Sequence, residues 1–165
     1  MNSKQDEDDF IDEHEDTLKD KFLTFHVGAE CYGIELRYVI EIIGIQKITR
    51  LPEMPDFIKG IINLRGKVIP VLDARLRFRM TELGYGDRTC IIVIEIANSS
   101  FGLIVDTVAE VLGIQEDWID PPPQSSKTSN NFIKGIGKVG NSVKILIDAD
   151  KFLTNNEIDA ISTIN

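Results

Sequence analysis

Phe57-Ile58-Lys59-Gly60-Ile61-Ile62-Asn63-Leu64-Arg65-Gly66-Lys67-Val68-Ile69-Pro70-Val71-Leu72-Asp73 decides the fold. Two apolar, β-branched runs, Gly60 to Leu64 and Lys67 to Leu72, flank a turn at Arg65-Gly66, which is the pattern of a β-hairpin. Asp73 follows where an N-cap belongs, so a short helix is expected at Ala74 to Phe78. Seventy-five positions later the same pattern returns as Phe132-Ile133-Lys134-Gly135-Ile136, with Val143 and Asp148-Ala149 at matching offsets. Lys134 to Val139 and Ser142 to Ile147, joined by Gly140-Asn141, form the second copy of the hairpin, followed by a short helix at Ala149 to Leu153. Asn156 to Ile161 is expected as a terminal helix.

The repeat extends upstream. Tyr32-Gly33-Ile34 and Val39-Ile40-Glu41-Ile42-Ile43-Gly44-Ile45-Gln46 recur 69 positions later as Phe101-Gly102-Leu103 and Val108-Ala109-Glu110-Val111-Leu112-Gly113-Ile114-Gln115, and Pro52 matches Pro121. The change of offset from 69 to 75 places six extra residues within Pro121 to Asn131, a stretch of loop composition where added length costs little. Each copy opens with another hairpin: Phe22 to Val27 with Cys31 to Ile34, and Ile91 to Ile96 with Phe101 to Val105. Short strands broken every eight to twelve residues point to small β-barrels. Two modules follow, at about 22–80 and 88–153, joined through Gly84, Gly86 and Asp87. Modules of about 70 residues are marginal alone, so a shared core is expected.

The chain has 165 residues, 42% hydrophobic and 27% charged, with net charge −9. Residues 1–20 hold nine acids and two lysines, a net of −7; the other 18 acids and 16 bases give −2. The first 20 residues are therefore read as an acidic, solvated tail, with Phe10-Ile11 and Leu18 able to dock weakly. The near-neutral body disfavours nucleic acid as a partner, because phosphate binding needs a concentrated basic surface. Arg75, Arg77 and Arg79 are the densest basic run and read as a solvated face. No apolar stretch approaches the roughly 20 residues of a membrane helix, and no export signal is visible, so direct membrane insertion is not expected and the cytoplasm is.

Catalytic chemistry finds little support. Of two histidines, His26 alone lies in the body, inside a strand pattern; Cys31 and Cys90 read as buried thiols, a disulfide being the alternative. Gly135-Ile136-Gly137-Lys138-Val139-Gly140 has dinucleotide-type glycine spacing but sits on a hairpin and opens no helix. No enzyme activity, cofactor or metal is expected.

Differences between the copies locate function. Arg65 stands where the second copy has Gly140, so the turn does not require arginine, and a guanidinium on a tight turn is a rigid donor fork for a partner's carboxylate or carbonyls. Glu41 has Glu110 as its counterpart. Val39, Ile42, Val105 and Val108 lie on the short segments after the second strand of each copy, where core and groove are both possible.

The stretch 57–73, with Tyr32-Gly33-Ile34, Val39 to Glu41, Gly102 to Asp106, Val108, Pro121 to Pro123 and Gly135 to Gly137, resembles the CheW family of bacterial chemotaxis coupling proteins over residues 20–155. The resemblance implies one CheW-like domain at 21–162, built of two SH3-like five-stranded barrels. It implies an adaptor recruited to membrane receptor arrays. Its partners are the regulatory domain of the histidine kinase CheA and the cytoplasmic tip of methyl-accepting chemotaxis receptors. By the same resemblance Arg65, Glu41 and Val39, with Val105 and Val108 on the far wall of an inter-barrel groove, form the receptor and kinase surface, to which Ile42 is added from its place on the segment that can line the groove. An oligonucleotide-binding small β-barrel is the alternative, disfavoured by charge and by Trp118 as sole tryptophan.

Overall fold

A computed structural model describes residues 17–123 and 132–151. The expected terminal helix at 156–161, most of the acidic tail and most of the six-residue insertion lie outside those residues.

Among the described residues eleven strands run in chain order: β1 (Lys21–Val27), β2 (Glu30–Glu35), β3 (Val39–Gly44), β4 (Ile58–Leu64), β5 (Lys67–Asp73), β6 (Cys90–Ile96), β7 (Ser99–Val105), β8 (Thr107–Gly113), β9 (Ile119–Asp120), β10 (Ile133–Val139) and β11 (Ser142–Ile147). The four expected hairpins all form, as antiparallel pairs β1–β2, β4–β5, β6–β7 and β10–β11. Asp73 caps helix α1 (Ala74–Arg77), its Oδ1 accepting from Arg75 N at 2.9 Å. In the second copy the described part of the expected 149–153 helix is a 3-10 turn at Ala149–Lys151. Two segments left unassigned from sequence, 39–44 and 107–113, are full strands. Their β-branched residues find antiparallel partners in the other half of the chain.

Each sheet draws strands from both sequence copies. One is six-stranded in the order β8-β1-β2-β11-β10-β9; the other is five-stranded, β3-β6-β7-β5-β4. The first hairpin of each copy has thus been exchanged. The crossings are reciprocal and in register: β2 runs parallel to β11 with Gly33 opposite Leu146, and β7 runs parallel to β5 with Gly102 opposite Val71. These pairs are the same two repeat positions with the copies swapped. The other junction repeats the rule, Phe25 facing Val108 and Ile94 facing Val39. Glycine at 33 permits the parallel approach, since a Cβ there would stand 2.9 Å from Leu146 of β11; at Gly102 a Cβ would instead meet Ile91 of the antiparallel neighbour β6, at 2.6 Å.

The expectation of two closed five-stranded barrels is corrected. β3 and β4 end one sheet, β8 and β9 the other, and no ladder joins those edges. Closure is approached by packing. Ile62, Ile69, Val71, Ile91, Val93 and Ile104 make a small core within the five-stranded sheet, with Ile43 and Leu64 against it, and Phe22, Ile114 and Leu146 make one in the six-stranded sheet. The largest cluster lies between the sheets and takes Leu23, Phe25, Ile34, Leu72, Ile94, Leu103 and Ile147 from both. Neither sheet can bury its apolar residues without the other copy's strands.

The arginine run is also corrected. Arg75 makes a bidentate pair with Asp106, at 2.8 and 2.6 Å, and the Arg77 guanidinium lies 5.2 Å from the Phe57 ring and 4.9 Å from its repeat counterpart Phe132. Cys31 is buried and Cys90 half-buried, and both are free thiols. No helix among the described residues is long and apolar enough to cross a membrane.

Candidate functional site

Leu64 faces Lys67, leaving Arg65-Gly66 as a two-residue turn with φ of 52° and 86°. Positive φ at both central residues is the I′ geometry that matches strand twist, and it favours glycine at both. Arg65 therefore holds a left-handed conformation that costs a non-glycine residue free energy. In the copy, Gly140 occupies the same place at φ 58°. The turn is braced by the Asn63 side chain, whose Oδ1 accepts from Gly66 N at 2.8 Å.

The bend of the five-stranded sheet brings this turn to β3, where the Arg65 guanidinium pairs with the Glu41 carboxylate. Two residues singled out on separate grounds in the sequence thus meet. Arg65 keeps 71% of its side chain exposed against 25% for Glu41, so the carboxylate orients the guanidinium while leaving most of it free. β3 has one open edge, and Ile40 and Ile42 on it are 54% and 45% exposed. An exposed charged fork held by Glu41 on one face of β3, exposed Ile42 on the other face, exposed Ile40 between them and an unpaired strand edge are the chemistry of a protein contact.

The remaining candidates divide. Val39 and Val108 are repeat counterparts, each half-buried against the cluster between the sheets. Val105 is buried at the end of β7 opposite Cys90, so no partner reaches its side chain, and its expected place on a groove wall is corrected to the core. The counterpart of Ile42 is Val111, which is exposed on the β8 edge. Sequence reading missed Val111 although the 69-residue offset already pointed to it.

The second copy keeps the glutamate without the arginine. Glu110 has no ion pair among the described residues, and its backbone instead clasps Thr24, accepting from Oγ1 at 2.7 Å. Other ion pairs around the sheets invert between copies. Arg75–Asp106 corresponds in the repeat to Asp150 and Arg37, whose charges attract with the signs exchanged. Burial raises the Asp106 pKa, but hydrogen bonds from Arg75 and the Gly28 N–H outweigh it and hold the carboxyl below its ordinary range. Glu35 is likewise held down against burial by Lys134 and Arg37. Glu35 with Lys134 links β2 to β10 within the six-stranded sheet, and Arg65–Glu41 links a hairpin turn to the β3 edge of the other with its guanidinium 71% exposed.

The CheW-like domain family model matches residues 21–157. The chain is 35% identical over 150 residues to a chemotaxis protein CheW of Klebsiella aerogenes, covering 90% of each chain. It is 36% identical over 135 residues to that of Bacillus subtilis, covering 81% of this chain and 86% of the relative. Among solved structures it is similar to the scaffolding protein TtCheW from Thermoanaerobacter tengcongensis, with TM-score 0.77 and 39% identity over 84% of this chain and 94% of that one. An exchanged pair of β-sheets that presents an ion pair on an open strand edge, with sequence likeness over nearly the whole described chain, places the protein plainly: it belongs to the CheW family of chemotaxis scaffold and adaptor proteins.

Proposed function

We propose that this chain is a non-catalytic adaptor that couples methyl-accepting chemoreceptors to the histidine kinase CheA. The observation that carries the reading is the Arg65–Glu41 pair on the open β3 edge: a guanidinium fixed in direction by a partly shielded carboxylate and left mostly exposed. A receptor tip made of helices offers carboxylates and apolar side chains at helical spacing, which suit Arg65 with Ile40 and Ile42. Val39, Val108 and Val111 extend the surface at the margin of the inter-sheet core. The kinase regulatory domain is assigned to the strand edges of the five-stranded sheet, where β-strand addition can supply backbone hydrogen bonds. The protein works in the cytoplasm and is drawn to the membrane by the receptors, without inserting into it and without a nucleic-acid partner.

The reading is tested by reconstituting receptor cytoplasmic fragments, CheA and this protein, and measuring receptor-dependent kinase activation. The parent should activate, and Arg65→Ala should require at least about tenfold more protein for the same effect, as expected for loss of a charged contact at a desolvated interface. No activation by the parent in any receptor combination would reject the coupling role.

A further inference from the structure

Both β3 and β8 lie at the end of a sheet, and both carry a bulge at the same repeat position. On β3, Val39 faces Ile94 and Glu41 faces Val93, with Ile40 as the extra residue. On β8, Val108 faces Phe25 and Val111 faces Leu23, so Ala109 and Glu110 stand against Thr24 alone. Thr24 and Val93 are repeat counterparts, as are Glu41 and Glu110. A bulge re-aims the side chains it carries, here the two glutamates.

The copies differ in how they hold that glutamate. On β3 the Glu41 carboxylate is paired with Arg65, and Val93 beside it is apolar and buried. On β8 the hold is on the backbone. The hydroxyl of buried Thr24 donates to the Glu110 carbonyl at 2.7 Å and accepts from the Glu110 N–H at 3.1 Å. Valine at 93 shows that the junction forms without a hydroxyl, just as Gly140 shows that the turn forms without arginine. The clasp leaves the Glu110 side chain exposed, and among the described residues no cation pairs with it. Ala109 and Val111 beside it are exposed as well.

We infer that the β8 edge receives a cationic side chain: Glu110 takes a lysine or arginine of the receptor's helical tip, and Thr24 is the positioning residue that holds Glu110 for it. The inference rests on the receptor-coupling reading above and adds a polarity to the docked element. Val108 and Val111, assigned to that surface already, lie on either side of Glu110, so the new contact is continuous with it. β3 then offers a guanidinium to a partner carboxylate, and β8 offers a carboxylate to a partner cation. A helical tip that carries an acid and a base in the matching order docks in one direction, because the reverse direction sets like charges together. Fixing the Glu110 backbone in advance lowers the ordering cost of the contact.

The test is titration of a fluorescently labelled receptor cytoplasmic fragment with the full chain at about 50 mM salt, where charge contacts are weakly screened. Glu110→Gln should weaken binding at least about fivefold, as loss of one partner of an interfacial charge pair does. Thr24→Val should weaken it about threefold and Thr24→Ser should not, and Thr24→Val should add nothing once Glu110→Gln is present, which a merely structural role does not predict. Gly140 has φ of 58° and open space at its Cβ, and Arg65 occupies the counterpart position at φ 52°. Gly140→Arg therefore supplies Glu110 with an internal guanidinium and should lower binding as far as Glu110→Gln does, while Gly140→Gln should not. Glu110→Gln alters an exposed side chain and keeps the test open if Thr24→Val does not fold. Parent-like binding by Glu110→Gln overturns the inference and leaves the coupling reading standing, whereas no binding by the parent overturns both. Receptor binding kept by Glu110→Gln with binding of the kinase regulatory domain lost would give the edge to the kinase and overturn the assignment.

Discussion

Arg65→Gly and Arg65→Ala separate folding from recognition. Both remove the pair with Glu41, which joins side chains 71% and 25% exposed; an ion pair that open contributes about 0–1 kcal/mol. They differ at the backbone, where φ is 52°. Alanine keeps a Cβ in the left-handed region at a cost of roughly 1 kcal/mol, whereas glycine adopts it freely. Arg65→Gly should therefore be as stable as the parent, and Arg65→Ala less stable than Arg65→Gly by about 1 kcal/mol, or about 2–4 °C in Tm for a domain of this size. Receptor coupling should ignore that difference. Both variants lose the guanidinium, whose loss from a desolvated contact costs about 2 to 5 kcal/mol, so both should weaken binding by more than tenfold. The assay pairs calorimetric melting with titration of a receptor cytoplasmic fragment. Arg65→Ala melting above Arg65→Gly would refute the backbone argument, and parent-like binding by Arg65→Gly would remove the guanidinium from the recognition surface.

Three further outcomes follow from the structure. A Cβ at Gly60, where φ is 148°, would stand 2.1 Å from the Thr49 carbonyl oxygen, so Gly60→Ala should cost about 3 kcal/mol or more in urea unfolding, and a loss under 1 kcal/mol would show that the strand can shift. Asp106 has a carboxyl held down by Arg75 and Gly28, so its contribution is present above its ordinary pKa of about 3.9 and is lost as pH falls through the lower folded value. Asp106→Asn should flatten the stability profile below about pH 4, and an unchanged acid limb would exclude this carboxylate as a source of acid sensitivity. Because each sheet takes strands from both copies, fragments 1–85 and 86–165 should be unfolded separately by circular dichroism and regain β-structure on mixing. Independent cooperative melting of either fragment would contradict the exchanged topology.

Much of this protein was legible in the order of its residues because the controlling physics is local. Alternating β-branched runs set the four hairpins, Arg65-Gly66 and Gly140-Asn141 set two of their turns, and Asp73 set the cap of α1. The repeat singled out Arg65 because a turn that forms with glycine in one copy has no structural need of arginine in the other. Partner choice between strands is a different kind of fact. Whether Phe22 to Val27 lies beside Val39 to Gly44 or beside Thr107 to Gly113 depends on contacts far apart in the chain, and the two copies are alike enough that either pairing satisfies the local pattern. Only the tertiary structure decided for exchange, and with it the open strand edges, which residues make the core that the copies share, and the burial of Val105. It also turned Arg75 and Arg77 inward, since a guanidinium reads as solvated in sequence until a carboxylate such as Asp106, or a ring such as Phe132, is brought to it by a strand from the other half. The meeting of Arg65 with Glu41 belongs to the same class: each residue could be named from the sequence, but the sheet had to bend before the one could hold the other.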